Sequence, residues 1–352
     1  MRPVSARERG GKGGAMRERI VVAAALCAIV VAISAGLPIR ARGSSPARGA
    51  DFLRSDCDRQ CLYGFIDQYL AALVGRDPAR LPWAKNVKFT ENNVELPVGW
   101  GLWRTISGLG PEDLRAADPR EGQAAYYGTV DERGTKSFFV LRLRIEDGKI
   151  SEVETIVDRK GNGPGPFGNP EALQPLPLLL QDVPPEHRTL RARMIALADG
   201  YFNTLQLNDG QIFTQFTPDC SRRENGVWTA NDPHPGSVQD PNLNLSAYGK
   251  ISCEEGFKLG NYRWDDELRA RRFPLVDEEK GLILAGGFID HSGSLDKYTT
   301  TDGVVHDPPL KSPHSYCYLE MFKILDGRIR HAESVFITVP YRMPSPWYQR
   351  GY

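Results

Sequence analysis

The sequence predicts an α+β fold built twice in tandem, and three observations carry that reading. The chain has 352 residues, room for about two domains. Four short motifs recur in the same order in its two halves. In each half an amphipathic helix comes first, and two strands joined by Asp-Gly come last. Composition agrees with a globular protein, at 41% hydrophobic and 25% charged residues. Lys plus Arg equal Asp plus Glu at 44 each. That balance excludes nucleic acid as a partner, which needs a basic excess.

Residues 1–50 read as an address. Six basic residues from Arg2 to Arg19 precede an uncharged run, Ile20 to Ile39. Such a run is either a secretory signal or a retained membrane anchor. Both place the rest of the chain outside the cytoplasm, periplasmic or extracellular. No membrane contact is expected except through residues 20–39, if uncleaved. Either Met1 or Met16 is the start. Arg40 to Ala50 lacks an apolar pattern and reads as a flexible spacer.

The repeat defines the rest. Phe65-Ile-Asp-Gln-Tyr-Leu-Ala-Ala-Leu73 matches Leu197-Ala-Asp-Gly-Tyr-Phe-Asn-Thr-Leu205. Phe89-Thr-Glu-Asn-Asn93 matches Arg222-Arg-Glu-Asn-Gly226. Gly128 to Gly134 matches Gly287 to Gly293, and Glu146 to Glu154 matches Leu325 to Glu333. The offset grows from 132 or 133 to 159 and then 179. The second copy therefore carries two loop insertions, of about 26 and 20 residues. The first domain spans 51–159, a Gly/Pro-rich linker 160–186, and the second domain 187–352 with an aromatic tail.

Each element has a local cause. Cys61, Phe65, Tyr69 and Ala72 recur at helical spacing, with Leu62, Ile66, Leu70 and Leu73 beside them. Asp77-Pro78 ends that helix. Short strands follow, then a helical segment near Pro111 to Ala117. Phe138 to Ile145 and Lys149 to Val157 are strands, and Asp147-Gly148 between them signals a two-residue hairpin. Asp326-Gly327 repeats it.

Cysteine usage fits an oxidising compartment. Cys57 and Cys61, one helical turn apart, are expected to bridge. Cys220 and Cys253 then pair in the second half, leaving Cys317 a buried free thiol.

The opening helix, Thr90-Glu-Asn-Asn93 with its counterpart Arg223-Glu-Asn-Gly226, and the closing Asp-Gly hairpins resemble the nuclear-transport-factor-2-like superfamily. SnoaL-type polyketide cyclases, scytalone dehydratase and ketosteroid isomerase share that fold. Residues 57–78 and 339–347 resemble an exported bacterial and fungal family catalogued as domain of unknown function 8021. The resemblance implies two cone-shaped domains, each with helices on a curved antiparallel sheet and a pocket between them. It implies no established catalytic set.

The repeat also serves as an internal control on that pocket. Phe139, Leu141 and Leu143 alternate with Arg142 and Arg144, which mark the solvent side. The matching interior residues are Tyr318, Glu320 and Phe322, so Glu320 stands where the first copy has Leu141. A carboxyl on an apolar wall suits proton transfer. Tyr318, His331 and Glu333 are the supporting candidates; the alternative is a structural role for each. All six histidines fall at or after residue 187. His291 reads as exposed, in a turn. His306 and His314 flank the second insertion. Phosphate-loop, nucleophile-elbow and metal-pair spacings are missing, so no cofactor and no metal are expected.

Two functions follow. One is a cofactor-independent lyase, dehydratase or isomerase for a small apolar or aromatic molecule, bound in the second domain. The other is a non-catalytic ligand-binding or structural protein of the cell envelope.

Overall fold

A computed structural model describes residues 57–159, 168, 170, 173–233 and 248–348. The signal or anchor read in residues 1–50 lies outside these residues. Among them, no helix is long and apolar enough to cross a membrane.

The first half opens with α1 (Arg59–Val74), whose buried face is Leu62, Phe65, Ile66, Tyr69, Leu70, Ala72 and Leu73. Asp58 caps its start by accepting from the Cys61 amide. There follow β1 (Trp83–Glu91), β2 (Val94–Glu95), a one-turn α2 (Leu102–Thr105), β3 (Gly108–Asp118), β4 (Gln123–Glu132), β5 (Thr135–Glu146) and β6 (Lys149–Arg159). The sheet order is β2-β1-β6-β5-β4-β3.

The second half repeats the plan. A short α3 (Pro177–Leu180) lies in the connection, then α4 (Arg191–Leu207), β7 (Phe216–Glu224), β8 (Val227–Ala230), α5 (Cys253–Leu259), β9 (Glu267–Asp277) and β10 (Leu282–His291). A small hairpin of β11 (Tyr298–Thr299) and β12 (Val305–His306) sits in the second insertion, before β13 (His314–Leu325) and β14 (Arg328–Val339). The order is β8-β7-β14-β13-β10-β9. Both halves are α+β, as the repeat requires. Leu141 pairs with Tyr126 and Thr155, while Glu320 pairs with Ala285 and Ser334. These are the partners that the repeat offsets assign.

Three expectations need correction. The sheets are mixed, because β1 runs parallel to β6 and β7 parallel to β14. Pro111 to Ala117 is strand rather than helix. Leu114 and Ala116 are buried on one face, and the ladder with β4 shifts register between Leu109 and Asp113, where Pro111 needs no amide partner. Arg142 does not mark solvent either. It is 2% exposed, because the backs of the two sheets pack on each other.

That packing makes a third hydrophobic core. Phe138, Val140 and Ile156 of the first sheet meet Leu275, Leu284, Leu319 and Met321 of the second. Leu173 and Leu179, from the stretch read as linker, are buried in it. Buried ions line its edge. Glu154 takes Arg142 at 2.9 Å and Arg272 across the interface. Arg223 bridges Glu333 at 2.7 Å and Glu112 at 3.0 Å. Trp347 of the tail lies over Lys88, Arg142 and Arg272 of this edge, and its indole N–H donates to Thr90 Oγ1 at 3.1 Å. Arg59, at the other end of the described chain, reaches Asp277 at 2.6 Å.

The bridges Cys57–Cys61 and Cys220–Cys253 are present, and Cys317 is a buried free thiol.

Candidate functional site

The two cones differ inside. In the first, Tyr69, Trp83 and Trp103 meet edge to face with centroids 5.3–6.5 Å apart in the apolar core. In the second lies a cavity of about 440 Å³. Its walls come from α4, β7, β10, β13 and β14, from Asn261 to Asp265 after α5, and from the second insertion at Tyr298 and His306 to Leu310.

Glu320 stands on the cavity wall, 4% exposed, between the small residues Ala285 and Ser334. Tyr201 donates a hydrogen bond to its carboxyl, and its Oε1 has no partner. Burial pushes its pKa up to about 8; the Arg222 charge opposes the rise and Glu224 adds to it. Glu320 is therefore largely protonated at neutral pH.

Arg222 is the second polar intrusion. Its counterpart in the first copy, Phe89, is a core residue. Its guanidinium donates to the Tyr262 hydroxyl at 2.9 Å and pairs with Glu224. It lies 5.0–5.6 Å from the ring centroids of Tyr201, Phe257 and Tyr262. The Cys220–Cys253 bridge ties α5, which carries Phe257, to β7, which carries Arg222.

A third group sits further along the cavity. Asp265 Oδ1 is 2.9 Å from His291 Nε2, and both line the cavity. The imidazole stacks between Trp264 at 5.4 Å and His314 at 4.6 Å. Burial raises the Asp265 pKa, while the His291 contact opposes the rise.

The four sequence candidates fall on two faces. Tyr318 and Glu320 share the inward face of β13, although Tyr318 packs in the apolar core beside the cavity. His331 and Glu333 lie on the back of the sheet and do not line the cavity. There Ser221 Oγ, His331 Nδ1 and Nε2, and Glu333 Oε2 form a line at 2.8 and 3.1 Å, continued by Arg223 to Glu112. Burial lowers the His331 pKa, so the ring is neutral.

The sequence reading missed Arg222, Asp265 and His291. The signal for Arg222 was in the same repeat, where Arg222 replaces Phe89. His291 read as a turn residue. It is buried between Trp264 and His314 with Asp265 on its Nε2, and no periodicity reports that.

Residues 187–336 match the family described as "Domain of unknown function (DUF8021)". The matched stretch lies within the second domain. No curated protein sequence matches the chain. Among solved structures, an NTF-2-like protein of unknown function from Burkholderia xenovorans is 10% identical, with TM-score 0.25, covering 33% of this chain and 94% of its own. A Kribbella flavida protein, provisionally named a ketosteroid isomerase, is 17% identical, with TM-score 0.24 and coverage of 33% and 90%. An uncharacterized protein with a cystatin-like fold from Caulobacter vibrioides is 17% identical, with TM-score 0.23 and coverage of 42% and 88%.

Proposed function

We propose that the chain is an exported, cofactor-independent lyase, dehydratase or isomerase. It moves a proton on a small apolar or aromatic substrate in the second-domain cavity. The observation behind this is Glu320, a buried carboxyl on a cavity wall at a position the first copy fills with Leu141. A carboxylic acid protonated at neutral pH is poised to donate. Tyr201 orients it, and Arg222 supplies positive potential. Export rests on the apolar run 20–39 and on the two disulfides.

2-Tetralone tests proton transfer without the natural substrate. Its α-protons exchange slowly with D2O, and NMR follows them. The protein is expected to speed the exchange, and Glu320→Gln to abolish that gain. Binding of 2-tetralone without faster exchange overturns catalysis and favours the ligand-binding alternative.

A further inference from the structure

We propose that the ligand of this cavity is a small organic cation, an amine carried on an aromatic or alicyclic body. This rests on the reading of the cavity as the substrate site and specifies the substrate's charge.

Two features of the walls point to it. Six rings line the cavity: Tyr201, Tyr262, Trp264, Tyr298, Tyr316 and Phe336. Ring faces attract cations, most strongly where water is excluded. The same walls carry four carboxyl groups, Glu224, Asp265, Asp307 and Glu320, and one arginine, Arg222. Arg222 is already paired with Glu224. His291 and His306 also line the cavity; Asp265 is 2.9 Å from His291 and Asp307 is 3.2 Å from Lys297, so the unpartnered buried carboxyl oxygen on these walls is Glu320 Oε1.

Each ligand charge then meets a different fate. An anion finds the arginine taken and faces the carboxyl groups. A wholly apolar ligand leaves Glu320 Oε1 buried without a partner, which is unfavourable. An ammonium supplies the missing donor and places its charge among the rings. The walls already hold one cation in this way, the guanidinium over Tyr201, Phe257 and Tyr262.

Binding of such a ligand carries a proton signature. Glu320 is pushed up to about 8 by burial, so it holds a proton at pH 7.5 in the empty cavity. The groups acting on it are Tyr201 from α4, Arg222 and Glu224 from β7, Glu333 from β14, and Tyr127 and Tyr318 behind and beside it. An arriving ammonium favours the carboxylate. The Glu320 proton leaves to solvent, and an N–H···O⁻ bond forms to Oε1; with a cationic substrate Glu320 then serves as the proton acceptor rather than the donor.

The test is calorimetry at pH 7.5 with three molecules of one shape: 2-aminotetralin, 2-tetralol and tetralin-2-carboxylate. The ammonium is expected to bind at least tenfold tighter than the alcohol, and the carboxylate weaker than both. Ammonium binding is expected to release a substantial fraction of one proton, read from two buffers of different ionisation heat. In Glu320→Gln that release disappears, and the tenfold preference falls to near parity. Should that variant misfold by circular dichroism, proton release in the unmodified protein decides alone. Equal binding of the alcohol, or no proton released, overturns the cation. If 2-tetralone exchange is still accelerated then, the acid–base reading stands without it. If no molecule binds and no exchange occurs, both fail.

Discussion

At the level of single residues, Glu320 couples folding to pH. Its folded pKa lies above its ordinary value of 4.5. Between about pH 4.5 and 8 the native state therefore holds a proton that the unfolded chain has already given up. Stability contributed at low pH is lost as pH rises through that window. At 1.36 kcal/mol per pKa unit the full effect is on the order of 3–5 kcal/mol. Denaturant midpoints measured from pH 5 to 9 should fall more steeply for the native chain than for Glu320→Gln. Parallel curves would refute the buried, protonated carboxyl. Glu320→Leu restores the Leu141 pattern and should be at least as stable as the native chain at pH 8. Sequence alone exposed this residue because the duplicate supplied a reference for what the position normally holds. Arg222 was equally legible through Phe89. Asp265 was not, because no recurring motif lies close enough to it to align it with Ile106, which it matches in the structure at the offset of 159.

Among elements, the edge of the sheet-to-sheet core is set by ions. Glu154 is fully buried, and despite burial its Arg272 and Arg142 partners hold its pKa below the usual carboxylate range. Removing Arg272 leaves Arg142 as the remaining partner of that charge, at a cost toward the low end of the 3–5 kcal/mol typical of a broken buried pair. Urea denaturation of Arg272→Ala should show a loss near 3 kcal/mol, and Glu154→Leu added to it should recover part. No recovery would mean that Arg272 acts through packing alone. The Cys220–Cys253 bridge closes a span of 33 residues. Loop entropy puts its contribution at about 3–4 kcal/mol. The double Cys→Ala variant should lose that much and loosen β7, which carries Arg222 on the cavity wall, and binding of 2-tetralone would register it. The hairpins were readable because Asp147-Gly148 and Asp326-Gly327 sit at positive φ, which Asp and Gly tolerate. The strand at Pro111 was not, because Pro-Glu-Asp looks like a helix start until a bulge and a partner sheet are known. Arg142 misled for a related reason. Alternation tells two faces apart but not whether the second face meets water.

For the molecule as a whole, the shared core predicts cooperativity. The backs of the two sheets are buried against each other, and Leu319 and Met321 share one core with the first sheet's Phe138 and Val140 and with Leu173 and Leu179 of the connection. Differential scanning calorimetry should give one unfolding transition rather than two. Leu319→Asp places an unpaired charge in that core and should lower the midpoint by 10 °C or more, at roughly 4 kcal/mol or above. Two separate transitions, with only one moved by the substitution, would show the halves to be independent. A duplicated fold was visible in the sequence from ordered matches. Its back-to-back packing was not, because the faces that meet carry the same alternation as faces that meet water.

The shared core has a consequence for how the protein is made. Ribosomes release the first half before the second exists. Phe138, Val140 and Ile156 are therefore displayed as a bare apolar plate while the remaining chain, about 190 residues, is added. At 5–20 residues per second that interval lasts roughly 10–40 s. During it, the nascent plate of one chain can pair with that of another, and the tail carrying Trp347 arrives last to latch the correct partner. Crowding of emerging chains is therefore expected to lower the yield of correctly paired halves.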